Sequence, residues 1–219
     1  MAKRGPRIGY KTKVKGDNRI DQWSALAFGL DLSASTILVF LSEEGLELPI
    51  LFDQGAKAEN IICVERDPNV LARAKWYRKH PKINVYPHDL NVAIPKIVKD
   101  GFHIDYANLD FCCQLCVPLV TTLVTLRDSG LVLPGTRLSV TMINGREQPA
   151  VIEYCKTEYP VEWLNSMGER MNFAMHVIAG RKYSVTGLGC NKYQSYGTKK
   201  NGTTALCGCN MQWSAAEFN

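Results

Sequence analysis

The sequence predicts an α/β fold: a mostly parallel sheet with helices on both faces and a C-terminal antiparallel hairpin. Three observations lead there. Short continuous apolar runs, of the kind that form strands buried on both faces, recur between residues 36 and 143. Stretches of helical spacing separate these runs, and βαβ alternation implies parallel strands. Two segments rich in Tyr, Val, Thr and Cys then close the chain around a Gly197-Thr198-Lys199-Lys200-Asn201-Gly202 turn signal.

The elements follow in order. Residues 1–20 read as a basic flexible arm, and residues 21–219 as a single domain. Gln22–Leu30 has the spacing of a short helix covering the sheet. Thr36–Leu41 (TILVFL) is the first buried strand, and Ser42-Glu43-Glu44-Gly45 turns out of it. Leu46–Gln54 is helical in spacing and stops at Gly55. Ile61–Val64 is the second strand. A helix over Asn69–Lys79 follows, with Pro68 at its first turn. Ile83–Tyr86, a helix over Val92–Lys99 and a fourth strand over His103–Leu109 come next. Val117–Arg127 is helical. Leu133-Pro134-Gly135-Thr136 turns into a fifth strand, Arg137–Ile143. Pro149–His176 is helical with a break near Tyr159-Pro160, and Arg181–Tyr196 and Ala205–Trp213 form the hairpin.

Composition narrows the class. With 219 residues, 46% hydrophobic and 21% charged, the chain is long enough to bury a core without staples. No apolar run approaches the roughly 20 residues that span a bilayer, and the basic N-terminus lacks the apolar core of a secretory signal. A cytoplasmic protein is expected, with no membrane partner. The formal net charge is +5. Lys3, Arg4, Arg7, Lys11, Lys13, Lys15 and Arg19 stand against Asp17 alone in the arm. Such an arm suits a polyanion such as RNA or DNA; it also suits a solubilising tail. The eight cysteines include Cys113-x-x-Cys116 and Cys207-x-Cys209. Their placement and spacing favour buried thiols over zinc, so no metal is expected.

In an open parallel sheet, ligands sit beyond the C-terminal strand ends at the switch point. The residues just after each strand are therefore the candidate site. Glu65 directly follows the second strand, where an acid accepts the hydroxyl protons of a ribose; the plain alternative is a surface pair with Arg66. Asp89 follows the third strand, either accepting from an adenine amino group or capping the next helix. Ser42, Glu43 and Gly45 form the first turn, and Asn108-Leu109-Asp110-Phe111 ends the fourth strand. His88 either serves the site or fills a turn, the turn being the plainer reading; His103 and His176 have no partner visible in sequence. Trp23, Trp76 and Trp163 read as core or edge residues; Tyr193, Tyr196 and Lys199-Lys200 either touch nucleic acid or, more plainly, form the protected edge of the hairpin.

VFLSEEGLELPILFDQGAKAENIICVERDPNVLARAK resembles the first two motifs of class I S-adenosylmethionine-dependent methyltransferases: apolar strand, Gly-containing turn, helix, second apolar strand, acid. LPGTRLSVTM resembles their later strand. The likeness spans residues 35–145 by order and spacing, and the hairpin extends it. The chain is also similar to phage-encoded methyltransferase-like proteins, which would place it in a host cytoplasm. In tRNA guanine N2-dimethyltransferases a Leu-Ser-x-x-Gly turn replaces the three-glycine loop, as Leu41-Ser42-Glu43-Glu44-Gly45 does here.

The resemblance implies a Rossmann-like methyltransferase fold and S-adenosylmethionine as cofactor. Ser42, Glu43, Gly45, Glu65, Arg66, Asp89 and Asn108 would then be cofactor-binding. It also implies a base amine as acceptor, with Asn108, Asp110 and Phe111 catalytic. Amine methyltransferases carry Asp/Asn-Pro-Pro-Tyr/Phe there; this chain keeps Asn108 and Phe111, lacks both prolines, and adds Asp110, which could orient the amine or take its proton. The glycine loop is degenerate: Gly45 stands alone, among Glu43, Glu44 and Glu47. Such acids would repel the carboxylate of a methionine moiety, while the helix start near Leu46 would offer it N–H groups. Two further readings stay open: a catalytically inactive binding protein on this fold, and another cofactor-using enzyme such as a cofactor-cleaving one.

Overall fold

The computed structural model describes residues 20–21, 23–24, 27–28, 31–111, 113–143, 148–159, 161–164, 173, 177, 180, 183–196 and 203–215, the last two ranges as backbone only. The predicted arm falls outside these residues apart from Ile20. So do most of the predicted helix 22–30 and 165–176, Cys112, His176, the hairpin turn 197–202, and the side chains of Trp163 and of the hairpin.

The strands are β1 (Ile37–Val39), β2 (Ile61–Val64), β3 (Asn84–Tyr86), β4 (Ile104–Asp110), β5 (Val132–Ile143), β6 (Tyr183–Tyr196) and β7 (Thr203–Ala215). They form one sheet in the order β3-β2-β1-β4-β5-β7-β6. β1 to β5 are parallel; β7 pairs antiparallel with β5, and β6 with β7. The expected parallel sheet with a terminal antiparallel hairpin is the observed one. Between the strands lie α1 (Leu48–Asp53), a short 3-10 turn (Ala58–Asn60), α2 (Pro68–Arg73), α3 (Lys75–Lys79), α4 (Leu90–Lys99) and α5 (Val117–Asp128). α6 (Pro149–Glu158) and α7 (Val161–Leu164) precede the hairpin, so the predicted break at Tyr159-Pro160 is present.

Strand alternation divides the core between the two faces. Leu38, Ile62, Ala107, Leu109, Leu138 and Val140 pack with α4 and α5. Ile37, Val39, Ile61, Cys63 and Tyr106 pack on the other face with Trp23, Leu48 and Leu51. Each fully buried Ile or Leu stabilises the fold by about 1.5–3 kcal/mol. Burial on both faces is why these strands read as unbroken apolar runs.

Two elements differ from expectation. The helix predicted over Asn69–Lys79 is two helices, because Ala74 between them is extended (φ −67°, ψ 107°). The break turns Trp76 inward, 5% exposed, where its Nε1 donates to the Ser42 carbonyl at 2.8 Å. Burying an indole with its hydrogen bond satisfied outweighs one uninterrupted turn of helix. The second difference is at Leu133–Thr136, predicted as a turn before the fifth strand. This stretch is part of β5, which starts at Val132 with an irregularity opposite Ile104–Tyr106. Thr136 holds it together: its hydroxyl accepts from the Leu133 N–H at 3.0 Å and donates to the Ile104 carbonyl at 2.8 Å.

Candidate functional site

From β1 the strand order runs one way to β2 and β3 and the other way to β4 and β5, so the switch point lies between β1 and β4. Val39 is level with Cys63 on β2 and with Asn108 on β4; Asn108 is level with Ser139 on β5. Neighbouring strands lie about 4.8 Å apart, so the ends of β2, β1 and β4 fall within roughly 10 Å. The backbone positions expected to line one crevice are therefore brought together.

The turn after β1 is closed by its own chain. Gly45 has φ +58°, a conformation costly for other residues, and its N–H bonds the Ser42 carbonyl at 3.0 Å. A Cβ on Gly45 would lie 2.4 Å from Cδ1 of Trp76, so the indole fills the space a side chain would take. Arg73 reaches from α2 to Glu43, 2.8 Å from Nε to Oε2. The Ser42 hydroxyl is 3.4 Å from Glu44. The start of α1 offers few donors: the Leu48 N–H is used by the Gly45 carbonyl, and Pro49 has none.

Glu65 leads off β2. Its Oε1 accepts from the Asp67 N–H at 2.8 Å, and Asp67 in turn caps α2 through the Asn69 N–H at 2.9 Å. These bonds fix the Glu65 side chain with one oxygen turned to its own backbone. Arg66 pairs with Asp89 at 3.3 Å rather than with Glu65. Both partners are largely exposed, so the pair adds little stability. Asp89 stands at the N-cap of α4 but makes no side-chain capping bond.

Asn108 is the most enclosed candidate, 2% exposed, within β4 rather than beyond it. Its Nδ2 donates to Oε1 of Glu47 at 3.2 Å, and Glu47 is 6% exposed. The carboxylate must accept, so the amide nitrogen faces it. Asn108 Oδ1 is then left buried with no hydrogen-bond partner among the described residues, as is the hydroxyl of Ser139 beside it. A buried unmet acceptor costs about 1–3 kcal/mol. Asp110 is two residues on, hence on the same face, and ends the strand opposite Thr141. Phe111 leaves the strand with its N–H on the Thr141 carbonyl at 2.8 Å. Its ring meets Phe40 edge-on, centroids 5.4 Å apart, against the α4–α5 side of the core.

The carboxylates around Gly45 are thus largely accounted for: Glu43 pairs with Arg73, and Glu47 lies buried against Asn108. The repulsion expected from Glu43 is correspondingly reduced, since its partner is a cation, whereas the Asn108 amide is neutral. Burial pushes the Cys63 thiol up to about 12, so it is an inert core group. Cys113 and Cys116 are half-buried. Among the described residues no group of three or more His, Cys, Asp or Glu could hold a metal ion, and no helix is long and apolar enough to cross a membrane. Sequence reasoning missed the roles of Trp76, Arg73 and Ser139 and the Glu47–Asn108 contact. Each joins segments 30 or more residues apart, for which local spacing carries no signal.

No family model matches the sequence, and no curated protein sequence matches it either. Solved structures do match in fold. SMU.776, described as a methyltransferase complexed with SAH, superposes with a TM-score of 0.53 at 11% identity over 90% of this chain. PH1948 from Pyrococcus horikoshii, described as an RNA methyltransferase, gives 0.52 at 13% identity over 97% of this chain and 91% of its own. TrmN from Thermus thermophilus gives 0.53 at 11% identity over 94% of this chain. The chain has a methyltransferase fold. It spans about half the length of SMU.776 (49%) and of TrmN (50%). At such identities the likeness is one of architecture.

An S-adenosylmethionine molecule would meet a mixed reception in this methyltransferase fold. The nucleoside end fits: Glu65 keeps Oε2 clear of the Asp67 bond, and Asp89 presents an exposed carboxylate two strands from β1. The Gly45 turn does not offer the close backbone approach of a glycine loop, because Trp76 already occupies the space above it.

Proposed function

We propose that this chain is an S-adenosylmethionine-dependent methyltransferase acting on a nucleic-acid base amine. The observation that carries the reading is the Asn108 amide, buried at the switch point with its carbonyl oxygen unmet. An incoming N–H donor would satisfy it, and an exocyclic amine is such a donor.

The cofactor, when bound, supplies a sulfonium-activated methyl group. Glu65 would hold the ribose hydroxyls through Oε2, and Asp89 would accept from the adenine amino group. Ser42, Glu43 and Arg66 would stand around the same crevice, with Gly45 shaping the turn beneath Trp76. Asn108 Oδ1 takes one amine N–H and aims the nitrogen lone pair along the line of transfer, which supplies proximity and orientation. Asp110, on the same face one step nearer the mouth, accepts the proton that the amine nitrogen loses as its bond to carbon forms. Phe111, which leaves the strand next after Asp110, would have to turn from its contact with Phe40 to stack on the base. The basic arm 1–20 holds the backbone of the nucleic acid, and 21–219 forms the one domain. One fold neighbour, PH1948, is described as an RNA methyltransferase, which supports the class of acceptor.

The test pairs two measurements. Calorimetry with S-adenosylmethionine and S-adenosylhomocysteine should show binding that Glu65→Ala weakens by about 1.5–3 kcal/mol. Tritiated-methyl transfer to total RNA and DNA should be lost in Phe111→Ala with cofactor affinity kept, and turnover should fall in Asn108→Ala. Cofactor binding without labelled nucleic acid would end the claim. The Trp76 cover on Gly45 favours one second reading, a non-catalytic binding protein on this fold; absence of cofactor binding below millimolar would select it.

A further inference from the structure

From Pro68 to His88 the chain has no acidic residue, yet carries Arg73, Lys75, Arg78, Lys79 and Lys82. All five are exposed. Arg73 is engaged by Glu43, whereas Lys75, Arg78, Lys79 and Lys82 make no ion pair among the described residues. The bounding acid Asp67 is committed to the start of α2, and Asp89 to Arg66. On α3, Lys75, Arg78 and Lys79 stand at i, i+3 and i+4, hence on one face. Trp76 fastens α3 to the turn after β1, since its Nε1 bonds the Ser42 carbonyl. The cations of α3 therefore begin at the rim of the crevice, whereas Lys82, just before β3, lies toward the opposite edge of the sheet, where Asn84 bonds the Glu59 carbonyl.

We infer that α3 and the Lys82 loop form a second electrostatic docking surface, for the phosphate backbone of the nucleic-acid substrate. The charge is complementary, and the patch runs from the crevice rim along the β2–β3 crossover, a track that suits the backbone of a polyanion whose base enters the site. The patch does not resemble a lipid-binding element, because Trp76 and Ile83 are buried and Tyr77 is a single exposed ring where an inserting face needs several apolar side chains. Nor does it resemble a protein interface core, which would be apolar at its centre. The inference rests on the proposed acceptor class and adds a contact surface that the sequence did not single out.

The test uses the full chain and fluorescence anisotropy with single-stranded RNA and DNA 20-mers over a salt series. Lys75→Gln/Lys79→Gln/Lys82→Gln should lower the slope of log affinity against log salt by about 2, near 0.7 per phosphate contact. Affinity near 0.15 M salt should fall at least tenfold, with an unchanged melting temperature. Removing residues 1–15 should add a further, separate decrease. A triple variant with wild-type slope and affinity would overturn the surface. So would lysine-dependent binding to phosphatidylserine vesicles together with no oligonucleotide binding. Oligonucleotide binding that needs the lysines but yields no methyl transfer would keep the surface and sink the enzymatic reading. Methyl transfer indifferent to the lysines would do the reverse.

Discussion

Gly45 holds two constraints at once. Its φ of +58° disfavours a side chain, and Trp76 lies where a Cβ would go, 2.4 Å from Cδ1. Gly45→Ala should therefore destabilise the fold by about 1–3 kcal/mol, part backbone strain and part overpacking. Trp76→Ala should cost roughly 3–5 kcal/mol as a large-to-small core change. The double variant should lose clearly less than the sum, because removing the indole relieves the collision. Additive denaturation midpoints would show that Trp76 does not press on Gly45. At the same scale, sequence reading identified the strand-end acids and Asn108. It did not foresee that Glu47 would be the partner of the Asn108 amide, since a contact across 61 residues is made only by packing α1 onto the sheet.

At the scale of elements, apolar runs and helical spacing located each strand and helix between residues 36 and 158 to within a few residues. They failed where a tertiary demand overrode local preference, at Ala74 and at Leu133–Thr136. α4 carries a local conflict of its own. Pro95 lies inside the helix, where it has no N–H to give the Asn91 carbonyl. The position is exposed, so Pro95→Ala should restore that bond without a clash. Stability should rise by about 1–2 kcal/mol after the unfolded chain regains some freedom, and Tm by roughly 2–8 °C. An unchanged or lower Tm in a thermal melt would assign Pro95 a packing role instead.

For the whole molecule, the two faces of the sheet enclose reactive groups that then report on global opening. Burial pushes Cys63 up to about 12 and Cys155 up to about 11 from an ordinary value of 9.0. Near pH 8 both thiols stay protonated and covered, so a maleimide should label them only through unfolding. Labelling followed by mass spectrometry across a urea series should track the unfolding transition. Fast labelling of Cys63 without denaturant would mean that the β1–β2 centre opens locally. The raised values also set a sign. Their contribution to stability is fully present below the unfolded value of 9.0 and is lost as pH rises through the folded values, so alkaline melts should show a falling Tm above about pH 9.

The sequence by itself determined the alternation of strands and helices, the parallel sheet with its closing hairpin, and which strand ends face the ligand side. Those follow from hydrophobic periodicity and from the connection rules of parallel strands, both properties of local chain segments. Tertiary structure alone decided what surrounds those ends. It set Trp76 over Gly45, Arg73 on Glu43, Glu47 under Asn108, and the unmet Asn108 oxygen beside Ser139. The physical reason is that partners of buried polar groups are chosen by which segments the core brings within about 3 Å, and that choice is made after the elements have formed.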